Sequence, residues 1–272
     1  MNKYFIILLF VCSLSSGQSL FKGQNGDEDA GYTLIPLNQT SRNWRGMCVF
    51  NGNVYAAVNS GDIYMQTNGT GDFSGLSQTG YEWIYLASSA SHVYAASQTH
   101  ISTTYFRIYK QTSGSGNFNS YYEKTDVYAF SSIAINGTDI YVTQINRDVL
   151  RQTNETGAFI DLSETHRNWR GGCAFNGNVY LVVYGGDIYM QTNGTGTFDA
   201  LSQGDKNWTY MTTSSTDVYA CVAGGDIYKQ VAGSGNFTAM GILHKNWQGM
   251  AVLGDYLYVS DYGGDIYKIK LK

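Results

Sequence analysis

One segment of this chain recurs almost letter for letter, and that repetition constrains the fold more than any composition does. RNWRGMCVFNGNVYAAVNSGDIYMQTNGTGDFSGLSQ, beginning at Arg42, returns as RNWRGGCAFNGNVYLVVYGGDIYMQTNGTGTFDALSQ, beginning at Arg167. Self-similarity at a fixed period of a few tens of residues is the mark of a repeat architecture in which each unit needs its neighbours to bury its apolar face. Alignment on one aromatic finds six copies, at Trp44, Trp83, Phe130, Trp169, Trp208 and Trp247, spaced by 39, 47, 39, 39 and 39 residues. A second marker, at Tyr55, Tyr94, Tyr141, Tyr180, Tyr219 and Tyr258, has the same spacings, so the register is secure. The eight extra residues of the second copy divide into six between Tyr94 and Tyr109 and two between Phe118 and Phe130.

Each copy holds four short apolar or alternating segments, in the first from Trp44 to Phe50, Val54 to Val58, Asp62 to Thr67 and Phe73 to Gln78. Their joints, Asn51-Gly52-Asn53, Ser60-Gly61 and Asn68-Gly69-Thr70-Gly71, are built from residues that tolerate positive φ. The 23 Tyr and 32 Gly of the chain suit the same reading, because Tyr favours a pleated half-buried surface and Gly supplies turns. Four antiparallel strands in about 40 residues make one blade of a β-propeller, so an all-β, six-bladed propeller is predicted over residues 31–272. The last copy ends at Lys272 after its third strand, Asp265 to Lys270. Its missing fourth strand is supplied by the N-terminal run Leu34-Ile35-Pro36-Leu37-Asn38-Gln39-Thr40, which aligns with Phe73-Ser74-Gly75-Leu76-Ser77-Gln78-Thr79. Residues 31–272 number 242, which equals six repeats of 39 plus the eight inserted residues. An N-terminal strand that completes the C-terminal blade removes a free edge, and Pro36 is compatible with an outermost strand that spares one N–H.

Ahead of the repeats, MNKYFIILLFVCSLSSGQS carries an early Lys3, an apolar run from Tyr4 to Leu14 and small residues up to Gly17. This is the pattern of a secretory signal peptide, which assigns residues 1–17 to a signal, 18–30 to a short linker and the mature chain to the outside of the cell. The run of about 11 apolar residues is too short to span a bilayer, which takes roughly 20, and no second run follows. Cys12 lacks the small preceding residue of a lipidated cysteine. Cys48, Cys173 and Cys221 then remain, an odd number that forms no closed disulfide framework, and they read as buried reduced thiols. A net charge of −4 with scattered Lys and Arg leaves no basic stripe for nucleic acid.

In their Gly- and Trp-rich repeats, these blades resemble lectin-type, tachylectin-like propellers and repeats of secreted microbial and phage proteins. They lack a Trp-Asp ending, kelch spacing and the sialidase Asp box. The resemblance implies multivalent sugar binding. Glycans or an extracellular protein are the expected partners, and the sequence, which has no ligand cluster, predicts no metal or cofactor.

The repeated polar residues fall in two loops of one face. Before strand one stand Arg42-Asn43-Trp44, Arg167-Asn168-Trp169, Lys206-Asn207-Trp208 and Lys245-Asn246-Trp247; before strand three stand Asp62, Asp148, Asp187, Asp226 and Asp265. An indole stacking on a pyranose, with amide, carboxylate and base on its hydroxyls, would make a sugar site. Four copies, absent from blades two and three, would act by avidity. The competing structural reading packs Trp between blades and lets Asp cap a Gly turn. A second candidate is an asymmetric pocket at the insertions of blades two and three, with His100, Tyr105, Arg107, Tyr122 and Glu123, against simple loop drift. His92, His100, His166 and His244 form no HxH or HExxH pair, and no GxSxG appears. A structural or adhesive protein-binding propeller is the alternative function, and a glycan-active hydrolase or lyase with carboxylates drawn from different blades is the third. Seven Asn-x-Ser/Thr sequons, at Asn38, Asn68, Asn136, Asn154, Asn193, Asn207 and Asn236, largely follow from the repeated NGTG turn.

Overall fold

Alternation of apolar and polar residues, punctuated by positive-φ turns such as Asn51-Gly52 and Asn176-Gly177, makes antiparallel strands throughout the computed structural model, which describes residues 31–78, 81–99, 105–125 and 129–272. The signal and linker expected at residues 1–30 lie outside the described residues, as does His100. Among the described residues no helix is long and apolar enough to cross a membrane.

The strands pair into four-stranded antiparallel sheets, and six such sheets are formed by the described residues. The first contains Arg42–Phe50, Asn53–Val58, Ile63–Gln66 and Ser74–Gly75. The innermost strands of the others are Glu82–Ser88, Phe130–Asn136, Arg167–Phe175, Lys206–Thr213 and Lys245–Leu253. The fold is a β-propeller. Its outermost strands in four sheets are only two residues long, which leaves little unpaired edge for another chain to add to.

The sixth sheet is completed from the other terminus. Leu34–Pro36 runs antiparallel to Ile266–Lys270, with Leu34 opposite Ile269 and Pro36 opposite Tyr267, and the exposed Pro36 sits on the outside as its missing N–H requires. Ring closure is also visible in the side chains. The Tyr258 hydroxyl donates to the Gly69 carbonyl at 3.1 Å, the same bond that Tyr55, Tyr141 and Tyr180 make to Gly114, Gly194 and Gly233 of the next sheet. Neighbouring sheets are stitched again on the outside, where Gln39, Gln78, Glu164 and Gln203 accept the N–H of Phe73, Phe118, Phe198 and Phe237.

Every innermost strand slips register just after its leading aromatic, between Trp44 and Met47, Trp83 and Tyr85, Phe130 and Ser132, Trp169 and Gly172, Trp208 and Tyr210, and Trp247 and Gly249. Such a bulge re-aims the side chains on either side of it. Here the residue before the bulge points back between sheets, and those in the bulge face the axis of the ring. Cys48, Cys173 and Cys221 are free and buried, as expected from the sequence.

Candidate functional site

The leading aromatics are core residues. Trp44, Trp169, Trp208 and Trp247 are at most 1% exposed, each packed edge-on against a tyrosine, Tyr64, Tyr189, Tyr228 or Tyr267. No ring face is left for a sugar, which corrects the stacking role expected for them. The preceding bases cover these clusters instead of facing a ligand. The Arg42 and Arg167 guanidiniums lie 4.8 and 4.5 Å from the Tyr64 and Tyr189 ring centres, and the Lys206 and Lys245 ammoniums lie 5.4 and 4.9 Å from those of Tyr228 and Tyr267. A cation held over a ring in this way is attracted to its negative face.

The carboxylate row is equally occupied. Asp62 accepts the N–H groups of Ile63, Ser77 and Gln78 at 2.6–2.8 Å. Asp187 accepts those of Ile188 and Gln203, and Asp226 those of Ile227, Gly241 and Ile242. Asp265 accepts those of Ile266, Asn38 and Gln39. Each carboxylate thus ties the start of its third strand to the loop leaving the fourth strand, and the hydroxyl-binding role expected of it is corrected to a backbone clasp. Asp148 instead meets the His166 Nε2 at 3.2 Å.

Of the triplets, Asn43, Asn207 and Asn246 remain exposed, while Asn168 is half-buried. Among the insertion residues, Arg107 Nε donates to Glu123 across its own hairpin at 2.6 Å. Tyr122 packs on Phe159 and Phe130. The other two residues of the expected pocket, His100 and the Tyr105 side chain, lie outside the described residues.

What the bulges bring together is a cavity on the axis. The residues immediately after the leading aromatics, Arg45, Ile84, Ser131, Arg170, Thr209 and Gln248, form a ring around its mouth, joined by Tyr184, Ile145 and Ala129, and the enclosed volume is about 320 Å³. Its floor is made by Tyr85 and Tyr210, which reach in from opposite sheets and stack with ring centres 4.3 Å apart and planes 23° apart. The Tyr85 hydroxyl donates to the Gly172 carbonyl at 2.8 Å and accepts the Gly172 N–H at 3.0 Å. The Tyr210 hydroxyl accepts the Met47 N–H at 3.1 Å and lies 2.5 Å from the Met47 carbonyl and 2.8 Å from the Leu86 carbonyl. Burial pushes both phenols well above their usual range, so they act as fixed neutral struts. Gly46 and Gly171 allow this crossing, since a Cβ on either would lie 2.5–2.7 Å from the backbone of Tyr85 or Tyr210. Below the floor, a second axial cavity of about 330 Å³ is lined by Cys48, Cys173, Met47 and Met211 among others. Burial pushes the Cys48 and Cys173 thiols up, so both remain protonated.

The mouth residues were not singled out from the sequence, although a signal for them exists. Tyr85 and Tyr210 are 125 residues apart, as are Arg45 and Arg170, and Met47 and Gly172. The chain is therefore also a twofold repeat of three-sheet units, in which one pair of Arg and one pair of Tyr stand among uncharged axial residues.

No protein-family model and no curated protein sequence matches the chain. Solved structures do match, at the level of fold. Virginiamycin B lyase from Staphylococcus aureus superposes with a TM-score of 0.63 at 14% identity, over 89% of this chain and 100% of that one. The soluble aldose sugar dehydrogenase from Escherichia coli gives 0.64 at 12%, over 89% and 100%. A gluconolactonase from Xanthomonas campestris gives 0.67 at 10%, over 88% and 89%. At such identities the likeness establishes the β-propeller architecture alone.

Proposed function

We propose that the chain is an exported recognition protein that binds a carbohydrate at one axial site, in place of several sites around the rim. The observation that carries this reading is the 320 Å³ cavity, floored by two locked tyrosines and ringed by the polar residues Arg45, Arg170, Gln248, Ser131 and Thr209. A concave site with an apolar floor and a few convergent polar groups is what small-ligand recognition needs. Its described lining contains no carboxylate, imidazole or thiol, the groups that most often move protons in glycoside hydrolysis, which favours binding over hydrolysis. The buried indoles and clasped aspartates remove the basis for repeated rim sites.

A glycan array probed with the full-length secreted chain and with Gln248→Trp, which fills the mouth, tests the proposal. Binding with one ligand per chain, lost in Gln248→Trp and kept in Asn207→Ala, is the expected result. Stepwise loss of several sites on changing Asn43, Asn168, Asn207 and Asn246 would restore the multivalent rim and overturn the axial site. Capture of a protein partner by the same face without any glycan binding would favour the adhesive reading. Release of a cleaved glycan would make the protein an enzyme.

A further inference from the structure

We infer that the axial cavity is an oxyanion site, and that its ligand is an acidic saccharide whose carboxylate or sulfate is held between Arg45 and Arg170; this rests on the axial reading above and names its ligand class. The two arginines belong to sheets three repeats apart, so they approach the mouth from opposite sides of the ring. Both are half-buried, and the Nε of each is enclosed without a hydrogen-bond partner. Arg45 donates through Nη1 to the neutral Gln248 Oε1 at 3.3 Å and lies 4.7 Å from the Tyr262 ring centre. Arg170 lies 5.6 Å from the Tyr184 ring centre, and among the described residues it has neither a hydrogen bond nor an ion pair.

A guanidinium withdrawn from water without a carboxylate is costly, and two facing each other cost more. Burial and then the charge of Arg45 hold the Arg170 guanidinium below its usual range, with Tyr184 opposing. Arg151, Lys229 and Lys245 meet Asp139, Asp217 and Asp261, while Arg42 and Arg167 lie over tyrosine rings. What sets the axial pair apart is that two guanidiniums with enclosed, unpartnered Nε atoms line one cavity, in a chain of net charge −4. An oxyanion of the ligand supplies the missing partner, because the planar guanidinium fork matches carboxylate and sulfate geometry and gives the stronger, charge-assisted bonds. The Ser131 hydroxyl bonds Thr143 and the Thr209 hydroxyl donates to the Trp247 carbonyl, while the Gln248 amide joins Arg45 and Asn246; their spare lone pairs and the second Gln248 N–H are what the sugar hydroxyls would meet. Field lines converging on a low-dielectric cleft would also draw an anion in despite the negative total charge.

Titration calorimetry of the full-length chain with galacturonate, galactose 6-sulfate, galactose and sodium sulfate tests this. The acidic sugars should bind at one site per chain, at least tenfold tighter than galactose, with sulfate competing weakly. Carboxylate and sulfate arms separate the two possible ligands. Arg45→Met and Arg170→Met should each weaken the acidic sugars at least tenfold more than they weaken galactose, Arg170→Lys should fall between, and Lys270→Met, which removes an exposed charge away from the mouth, should change nothing. Circular dichroism melts confirm that each variant is folded. Galactose binding that Gln248→Trp abolishes, with no preference for the acidic sugars, would overturn the oxyanion inference and leave the axial site standing. Acidic sugars bound equally by wild type and both Met variants, or failing to bind at all, would also overturn it.

Discussion

Replacing Asp265 by Asn should open the seam of the ring. The Asp265 carboxylate accepts Gln39 N–H and Ile266 N–H on Oδ1, both at 2.7 Å, and Asn38 N–H on Oδ2 at 2.8 Å. An isosteric amide keeps the Oδ1 bonds but presents an NH₂ group to the Asn38 N–H, so donor faces donor and one charge-assisted bond worth about 1.5–3 kcal/mol is lost. The remaining two bonds fall from charged to neutral strength. Because Asn38 is exposed and its N–H is rehydrated, the total stays near the low end, at about 3 kcal/mol. Beyond the clasp, this short terminal segment is held by three paired residues, the bond from Leu37 N–H to the Ile266 carbonyl at 2.9 Å, the Phe73 N–H donated to Gln39 and the packing of Leu34 and Leu37 on the core. Its release should therefore be local. Amide exchange at Leu37 should accelerate roughly a hundredfold, since each 1.4 kcal/mol is about a factor of ten. Asp226→Asn is the matched control, with the same clasp to Gly241 and Ile242 but a loop tethered 15 and 16 residues away in the chain. It should lower the melting temperature by a comparable amount, 2–4 °C per kcal/mol for a domain of this size, without exposing Leu37. Unchanged Leu37 exchange in Asp265→Asn, or equal acceleration in both variants, would refute the seam.

The buried struts make further predictions. Tyr210→Phe strands the Met47 and Leu86 backbone groups and should cost about 1–3 kcal/mol in urea unfolding; a loss below about 0.5 kcal/mol would mean that these bonds are not formed. Gly46→Ala and Gly171→Ala drive a Cβ into the Tyr85 or Tyr210 backbone and should each cost about 1–3 kcal/mol or more, whereas Gly71→Ala, with open space around its Cβ, should pay only its positive-φ strain. Burial pushes the Cys221 thiol up to about 12, above the unfolded value near 8.5. The unfolded chain then loses its proton first, so this contribution to stability is fully present below about pH 8.5 and is lost as pH rises toward 12. Denaturation midpoints measured from pH 7 to 10.5 should fall along this slope, and less steeply in Cys221→Ala, where the buried Cys48 and Cys173 thiols still contribute in the same direction, while a thiol reagent at pH 8 should label none of Cys48, Cys173 and Cys221 until the protein unfolds.

Periodicity alone was enough to determine the strands, the propeller class and the N-terminal strand that completes the last sheet, because each follows from where apolar residues and turn residues must alternate along a chain that repeats every 39 residues. The sequence could not decide which way the repeated polar and aromatic residues face. Trp44 and Arg45 are adjacent letters, and strict alternation would place them on opposite faces of a strand without saying which face meets another sheet. The bulge that follows every leading aromatic makes that decision. It turns the indoles inward between sheets and swings Arg45, Arg170, Tyr85 and Tyr210 onto the axis. The aspartates were ambiguous for a related reason: a carboxylate after a Gly turn suits a ligand's hydroxyls as well as a loop's N–H groups, and only the return of residues 15 and 16 positions later, or of Asn38 and Gln39 from the far terminus, fills its lone pairs. Convergence of two like charges on one axis is a property of the closed ring, because residues 125 apart in sequence become neighbours only when the strands between them have curved the chain back on itself.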